Sequence, residues 1–308
     1  MNNILAKNHS PSKVWLNWLN QIEFLNEIRP EFIRMLAGFG YYLGAPIEAD
    51  IWRVNRLKGL NVSDKLVEDY KSIIGKDVTL LLSELDPQKE KFSIPLETSA
   101  GDTIWVNTDI VRMQVDAANI FRFGLNNANT VCEIGGGYGQ LALGFVSNNP
   151  KISYTIIDFE QILDVVFKWL SYLKIDTPIF KYQNLQEYLS NYQNPGLHLL
   201  PNDLVDFSKK MTFDLGININ SFCEMTSEQV ISYLRCLKVK NFYSNNRDRQ
   251  PNNEQLVSLT NIFKTEGRVL SPSPEKYNNG NYKKRVYLIR TSNSIVDIDI
   301  DEIRGIKG

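Results

Sequence analysis

Two periodicities divide the chain. From Ser12 to about Leu82 apolar side chains recur at three- and four-residue steps. Trp15, Trp18, Leu19, Ile22, Phe24 and Leu25 come first, then Phe32, Ile33, Leu36 and Phe39. That spacing predicts helices, punctuated by Pro30, Gly38, Gly40 and Gly44. Ser63 reads as the N-cap of a further helix that stops at Gly75. Residues 1–10 read as a loose tail. Residues 84–108, with Pro87, Pro95 and Gly101, read as a connecting loop, and Asp109 to Gly124 as one more amphipathic helix. From Thr130 short apolar runs alternate with helical stretches. The expected strands are TVCEI (130–134), ISYTIID (152–158), PIFKY (178–182), FDLGINI (213–219), KNFYSN (240–245), RVLSP (268–272) and RVYLIR (285–290). QLALGFVSN, FEQILDVVFKWLSYL and TSEQVISYLRCL supply helices between them. Alternating βα units predict a mainly parallel sheet covered by helices, with the last two strands as a hairpin. The expected division is a helical region over 1–108 and an α/β domain over 109–308.

Composition narrows the partners. A formal net charge of −1 creates no global field for nucleic acid. No run approaches the length of a membrane span, and MNNILAKNHSPSKVW has no apolar core of signal-peptide length. Cys132, Cys223 and Cys236 are odd in number and match no zinc spacing, so reduced thiols and a cytoplasmic setting are expected. With only His9 and His198 a histidine-rich metal site is ruled out, and no obligatory metal is expected.

The densest chemical signal is VCEIGGGYGQLA, Val131 to Ala142. It follows the first strand of the α/β half and precedes its first helix. A loop there can bring backbone N–H groups and a helix N-terminus close to a ligand. A dinucleotide fingerprint from Gly135 and Gly137 requires Gly or Ala where Gln140 stands. A P-loop fails at the same residue and has no following lysine. The spacing that fits is acid-x-G-x-G-x-G: Glu133, Gly135, Gly137 and Gly139, with Tyr138 inside the loop. Glu133 can receive an ammonium group. The second strand ends in Asp158, placed to accept both hydroxyls of a ribose, and Phe159 can lie against an adenine. Together they describe a site for an adenosine with an amino-acid arm. Other readings stand beside this one: the glycines serve close packing, Glu133 caps local backbone, Asp158 caps the helix after it, and Phe159 belongs to the core.

EIGGGYG followed by YTIIDF resembles the class I S-adenosylmethionine-dependent methyltransferases over roughly residues 110–292. EIGGGYGQLA, IIDFEQIL and INSFCEMT together resemble, more narrowly, the sugar O-methyltransferases of bacterial surface-polysaccharide clusters. The resemblance implies a Rossmann-like, seven-stranded mixed sheet with flanking helices, preceded by a helical N-terminal region. It also implies S-adenosyl-L-methionine as donor, with its sulfonium near the end of the fourth strand, and a sugar or glycan acceptor. An amine or small natural product as acceptor is the alternative, as is an inactive donor-binding partner of glycan enzymes.

Methyl transfer to a hydroxyl needs alignment and a base. In FDLGININSFCEMTSEQ, strand alternation puts Asn218 and Asn220 on one face, for the donor's ammonium and the acceptor hydroxyls respectively. Ser221 follows as an acceptor contact. Glu224 is the first candidate base, or else an acid at the next helix's N-terminus. His198 in PGLHLLPND is the second candidate, or else a structural residue, and Asn202 could reach the adenine edge. The polar segment SNNRDRQ (244–250) reads as a loop in which Arg247 and Arg249 suit a phosphate or uronic acid, or are simply solvated. The N-terminal helices could carry homodimer contacts.

Overall fold

The computed structural model describes residues 94–97, 103–106, 108–122, 125, 127–249, 253–266 and 285–290, with isolated positions at 12, 13, 15, 29, 30 and 33. The helices expected before residue 82, the homodimer contacts expected from them, and the strand expected at 268–272 lie outside the described residues. The architecture is α/β, a Rossmann-like parallel sheet with flanking helices. The chain forms two compact units: Met1–Leu16, Val131–Gly135 and Asp206–Gly308 in one, Asn17–Thr130 and Gly136–Val205 in the other.

The second of these contains a two-stranded hairpin within residues 84–108, where the sequence predicts a connecting loop. Strands β1 (Ile94–Glu97) and β2 (Thr103–Val106) pair antiparallel, Ile94 opposite Val106. At four residues each, one carrying Pro95, they are too short to show a period. Helix α1 (Thr108–Arg122) follows. Beyond β3 (Thr130–Ile134) come helix α2 (Gln140–Asn148) and strand β4 (Ser153–Asp158). Every residue of β4 is buried, as expected of a parallel strand covered on both faces. Helix α3 (Glu160–Tyr172) buries Ile162, Leu163, Val165, Val166, Trp169 and Leu170, one helical stripe. Strand β5 (Ile179–Lys181) and helix α4 (Leu185–Asn191) lead into β6 (Gly196–Pro201), which pairs parallel with both β4 and β5. No strand was expected at 196–201. GLHLLP is bracketed by Gly196 and Pro201 and interrupted by a histidine, so its apolar run is brief, yet all six residues are buried.

In the other unit β3 pairs parallel with β7 (Met211–Ile219), Val131 opposite Leu215, and β7 pairs parallel with β8 (Leu237–Asn246). Strand β9 (Arg285–Arg290) runs antiparallel to β8. Among the described residues, β5, β6 and β4 form one parallel set, β3, β7 and β8 another, and β9 is antiparallel to β8. Helices α5 (Ser227–Cys236) and α6 (Leu259–Thr265) belong to the same unit. The Phe242 ring packs over Gly216, where a Cβ would stand 2.5 Å from it, and stacks on Phe222 at 6.0 Å.

Candidate functional site

The glycine loop is left-handed at the three expected positions: φ is +73° at Gly135, +57° at Gly137 and +83° at Gly139, and positive at neither Gly136 nor Tyr138. The alternation makes a tight turn, in which Gly139 N–H donates to Gly136 O at 3.0 Å and Gly137 N–H donates to Asp158. Two of the glycines also serve packing. A Cβ on Gly135 would stand 2.2 Å from Ser221 Oγ, and one on Gly139 would stand 3.0 Å from Val166 Cγ1. Tyr138 is 7% exposed, so its ring belongs to the core.

Asp158 ends β4. Its Oδ2 accepts from Gly137 N at 3.2 Å and its Oδ1 from Phe159 N at 2.8 Å. The carboxylate therefore fastens the glycine loop to the strand end. It is not a side-chain cap for α3, whose N-cap residue is Phe159. Phe159 is half-buried rather than core. Asp158 pairs with Pro201 across β4 and β6, which puts Asn202, half-buried in a short 3₁₀ turn, at the same carboxyl edge. Asp158, Phe159 and Asn202 are thus brought together.

Glu133, in β3, is 2% exposed. The neighbouring Cys132 thiol is raised well above its usual range, first by burial and then by the charges of Cys236 and Glu133. The end of β7 corrects the reading of its asparagines. The strand stops at Ile219, and Asn220 turns left-handed at φ +58°, so alternation does not reach it. Asn218 is fully buried, while Asn220 is half-buried.

Asn218 is saturated within the chain. Its Nδ2 donates to Ile134 O at 2.8 Å and Ser221 Oγ at 2.5 Å. Its Oδ1 accepts from Phe222 N at 3.1 Å and Asn246 Nδ2 at 2.7 Å. All four bonding directions of the amide are filled, so it holds protein and offers a ligand nothing. Ser221 Oγ donates to Ile134 O at 2.9 Å, so it too is engaged inside.

Glu224 closes a 3₁₀ turn, Phe222–Glu224, and is half-buried. Its carbonyl accepts from Ser12 Oγ at 2.5 Å. The helix-acid reading of Glu224 fails, because α5 is capped by Thr226 and Gln229 in a reciprocal box and Glu228 occupies its first turn. His198 is corrected outright. It lies in β6 with no exposed surface, stacked on Phe180 and Tyr182. Its Nε2 faces Asn194 O at 2.8 Å and must carry the proton, so Nδ1 accepts from Tyr182 Oη at 2.7 Å. Burial lowers its pKa from the usual 6.5. An imidazole with both nitrogens engaged and no access cannot serve as a base.

The segment expected as a polar loop at 244–250 begins inside β8. Ser244, Asn245 and Asn246 are buried. Arg247 follows, half-buried, and Arg249 is exposed. Asp248 between them accepts from Ser258 Oγ at 2.8 Å, Thr260 N at 2.8 Å and Thr260 Oγ1 at 2.6 Å, which fixes the turn that carries both arginines. Sequence reasoning missed Asn246, although a buried-strand pattern that ends in three polar residues signals an internal polar network. Among the described residues no group of His, Cys, Asp and Glu could hold a metal, and no helix is long and apolar enough to cross a membrane.

No protein-family model matches the chain, and no curated protein is significantly similar to it. Solved structures do match. A SAM-dependent methyltransferase from Aquifex aeolicus is 18% identical over 57% of this chain and 89% of its own, with a TM-score of 0.39. An O-methyltransferase family protein from Burkholderia thailandensis is 11% identical over 90% and 96%, with a TM-score of 0.39. The magnesium protoporphyrin IX methyltransferase from Synechocystis PCC 6803 with bound SAH is 12% identical over 60% and 88%, with a TM-score of 0.39.

Proposed function

We propose that this chain is an S-adenosyl-L-methionine-dependent methyltransferase acting on a sugar hydroxyl, in the assembly of a bacterial surface glycan. The observation that carries the donor is the glycine loop, left-handed at Gly135, Gly137 and Gly139 and tied by Gly137 N–H to the strand-end carboxylate of Asp158. The donor set suits an adenosine: a carboxylate for the ribose hydroxyls, a half-buried Phe159 for the ring and Asn202 on the neighbouring strand end for the adenine edge. Glu133 and Gly135 receive the amino-acid arm. When bound, the donor supplies an electrophilic methyl on a sulfonium. The acceptor oxygen attacks that carbon as the carbon–sulfur bond breaks, and Glu224 takes the hydroxyl proton. Asn220 orients the acceptor from its left-handed turn, and Arg247 holds an anionic group on it. Ser221 is demoted from acceptor contact to support. Three buried thiols, none of them in a disulfide, support a reducing, cytoplasmic setting.

A panel of nucleotide sugars, sugar phosphates and amines, offered with methyl-labelled donor, tests the acceptor class. The expectation is label in an anionic sugar, and a loss of about 10²–10⁴-fold in transfer for Glu224→Gln with donor binding intact. Label in amines alone overturns the sugar assignment.

A further inference from the structure

Asn246 lies in β8, far in sequence from the glycine loop, and no ligand role falls to it. It has no exposed surface. Its Nδ2 donates to Asn218 Oδ1 at 2.7 Å, Asn218 O at 3.2 Å and Ser244 Oγ at 2.9 Å. Its Oδ1 accepts from Cys223 N at 3.4 Å. These bonds decide which way the Asn218 amide faces. Because Asn218 Oδ1 is drawn toward Asn246 and Phe222 N, its Nδ2 is left to face Ile134 O and Ser221.

Ile134 O is the last carbonyl before the glycine loop. It receives two donors, Asn218 Nδ2 at 2.8 Å and Ser221 Oγ at 2.9 Å. A carbonyl has two lone pairs, so both are occupied. The peptide plane from Ile134 to Gly135 therefore cannot turn without breaking two buried hydrogen bonds. A glycine at this point needs such a restraint, since Gly135 is the residue most able to change its backbone angles. A Cβ there would clash with the same Ser221, so the side-chain lock and the missing side chain are complementary.

We propose that Asn246 is a positioning residue. It sets the Asn218 amide, which with Ser221 fixes the Ile134–Gly135 peptide and so preorganises the loop for the amino-acid arm of the donor. This rests on the donor reading above. The lock involves the arm rather than the nucleoside, which is assigned to Asp158, Phe159 and Asn202.

The test is Asn246→Asp, which keeps the shape and removes the donor. Two acceptors then face one another, and the Asn218 amide must turn over, taking its N–H from Ile134 O. Binding of S-adenosylhomocysteine and of 5′-methylthioadenosine, which lacks the amino-acid arm, is measured by calorimetry on the full chain. The expected result is about tenfold weaker binding of the first, one hydrogen bond's worth, with the second unchanged. Ser221→Ala, which removes one hydroxyl and adds no charge, is expected to shift the same ratio in the same direction. Equal losses for both ligands mean general loosening and overturn the proposal, as does no loss for either. Amide exchange at Gly135 without ligand is the independent arm. Faster exchange in Asn246→Asp supports the lock even if the parent binds neither ligand, in which case the donor reading fails. Unchanged exchange overturns the lock.

Discussion

Replacing Gly135 with alanine tests whether the loop is built as described. Two costs follow from the geometry. The residue holds φ at +73°, and an L side chain in that region costs about 1–2 kcal/mol. Its Cβ would also stand 2.2 Å from Ser221 Oγ and 2.3 Å from Ser221 Cβ. The Ser221 side chain cannot swing aside cheaply, because its hydroxyl is bonded to Ile134 O and Asn218. Overpacking of that kind costs about 1–3 kcal/mol. A total of about 3 kcal/mol is a large part of the 5–15 kcal/mol typical of a folded domain, roughly. At about 2–4 °C per kcal/mol for a domain near this size, Tm falls by roughly 10 °C. Gly139→Ala provides the contrast. It has the same backbone strain at φ +83°, but its nearest neighbour is a side-chain methyl at 3.0 Å, so the expected loss is about 1–2 kcal/mol. Urea unfolding of the parent, Gly135→Ala, Ser221→Gly and the double variant closes a double-mutant cycle, with Gly139→Ala measured beside it. A favourable coupling of about 1–3 kcal/mol between the two changes is expected. Full stability in Gly135→Ala, or no recovery in the double variant, refutes the packing argument.

Further expectations concern the buried titratable groups. The folded His198 imidazole has its pKa lowered below 6.5 by burial. Between 6.5 and that lower value the unfolded chain therefore holds a proton that the folded chain lacks. Stability falls as pH falls through this window, at a limiting slope of about 1.4 kcal/mol per pH unit. Urea midpoints from pH 7 to 5 should show this slope in the parent and a shallower one in His198→Gln; identical slopes contradict the burial of the imidazole. The thiols should be silent in the folded protein. Burial raises Cys132 well above its usual range and pushes Cys236 up to about 12, and Cys223 is buried too. Thiolate is the reactive form, so a disulfide reagent should titrate no thiol natively and all three in urea. Rapid native labelling of any of them counts against the core described.

The sequence showed most clearly the parts of this molecule in which local chemistry and final structure coincide. Helix α3 is legible because its apolar stripe is long and regular, and β4 because a strand buried on both faces reads as an apolar run. The three left-handed glycines are legible because only glycine adopts that backbone without strain. Strand β6 is hard to read because Gly196 and Pro201 bracket its short run and His198 interrupts it, and the burial of His198 rests on the rings of Phe180 and Tyr182 on a neighbouring segment. Asn218 and Asn220 were misread because alternation holds only while the strand lasts, and the strand ends between them. Asn246 was hidden because its partners are up to 28 residues away, and no local period reports a polar bond across strands.

Donor binding underlies most of the function proposed for this chain. Calorimetric titration of the parent and of Asp158→Ala with S-adenosylhomocysteine, with NAD as the control ligand, tests it most directly. Micromolar binding to the parent, none of NAD, and a loss of about ten- to a hundredfold in Asp158→Ala are expected, the last being the effect of removing a charged hydrogen-bond acceptor. A folded parent that does not bind S-adenosylhomocysteine contradicts the donor assignment, and the glycine loop is then a structural turn alone.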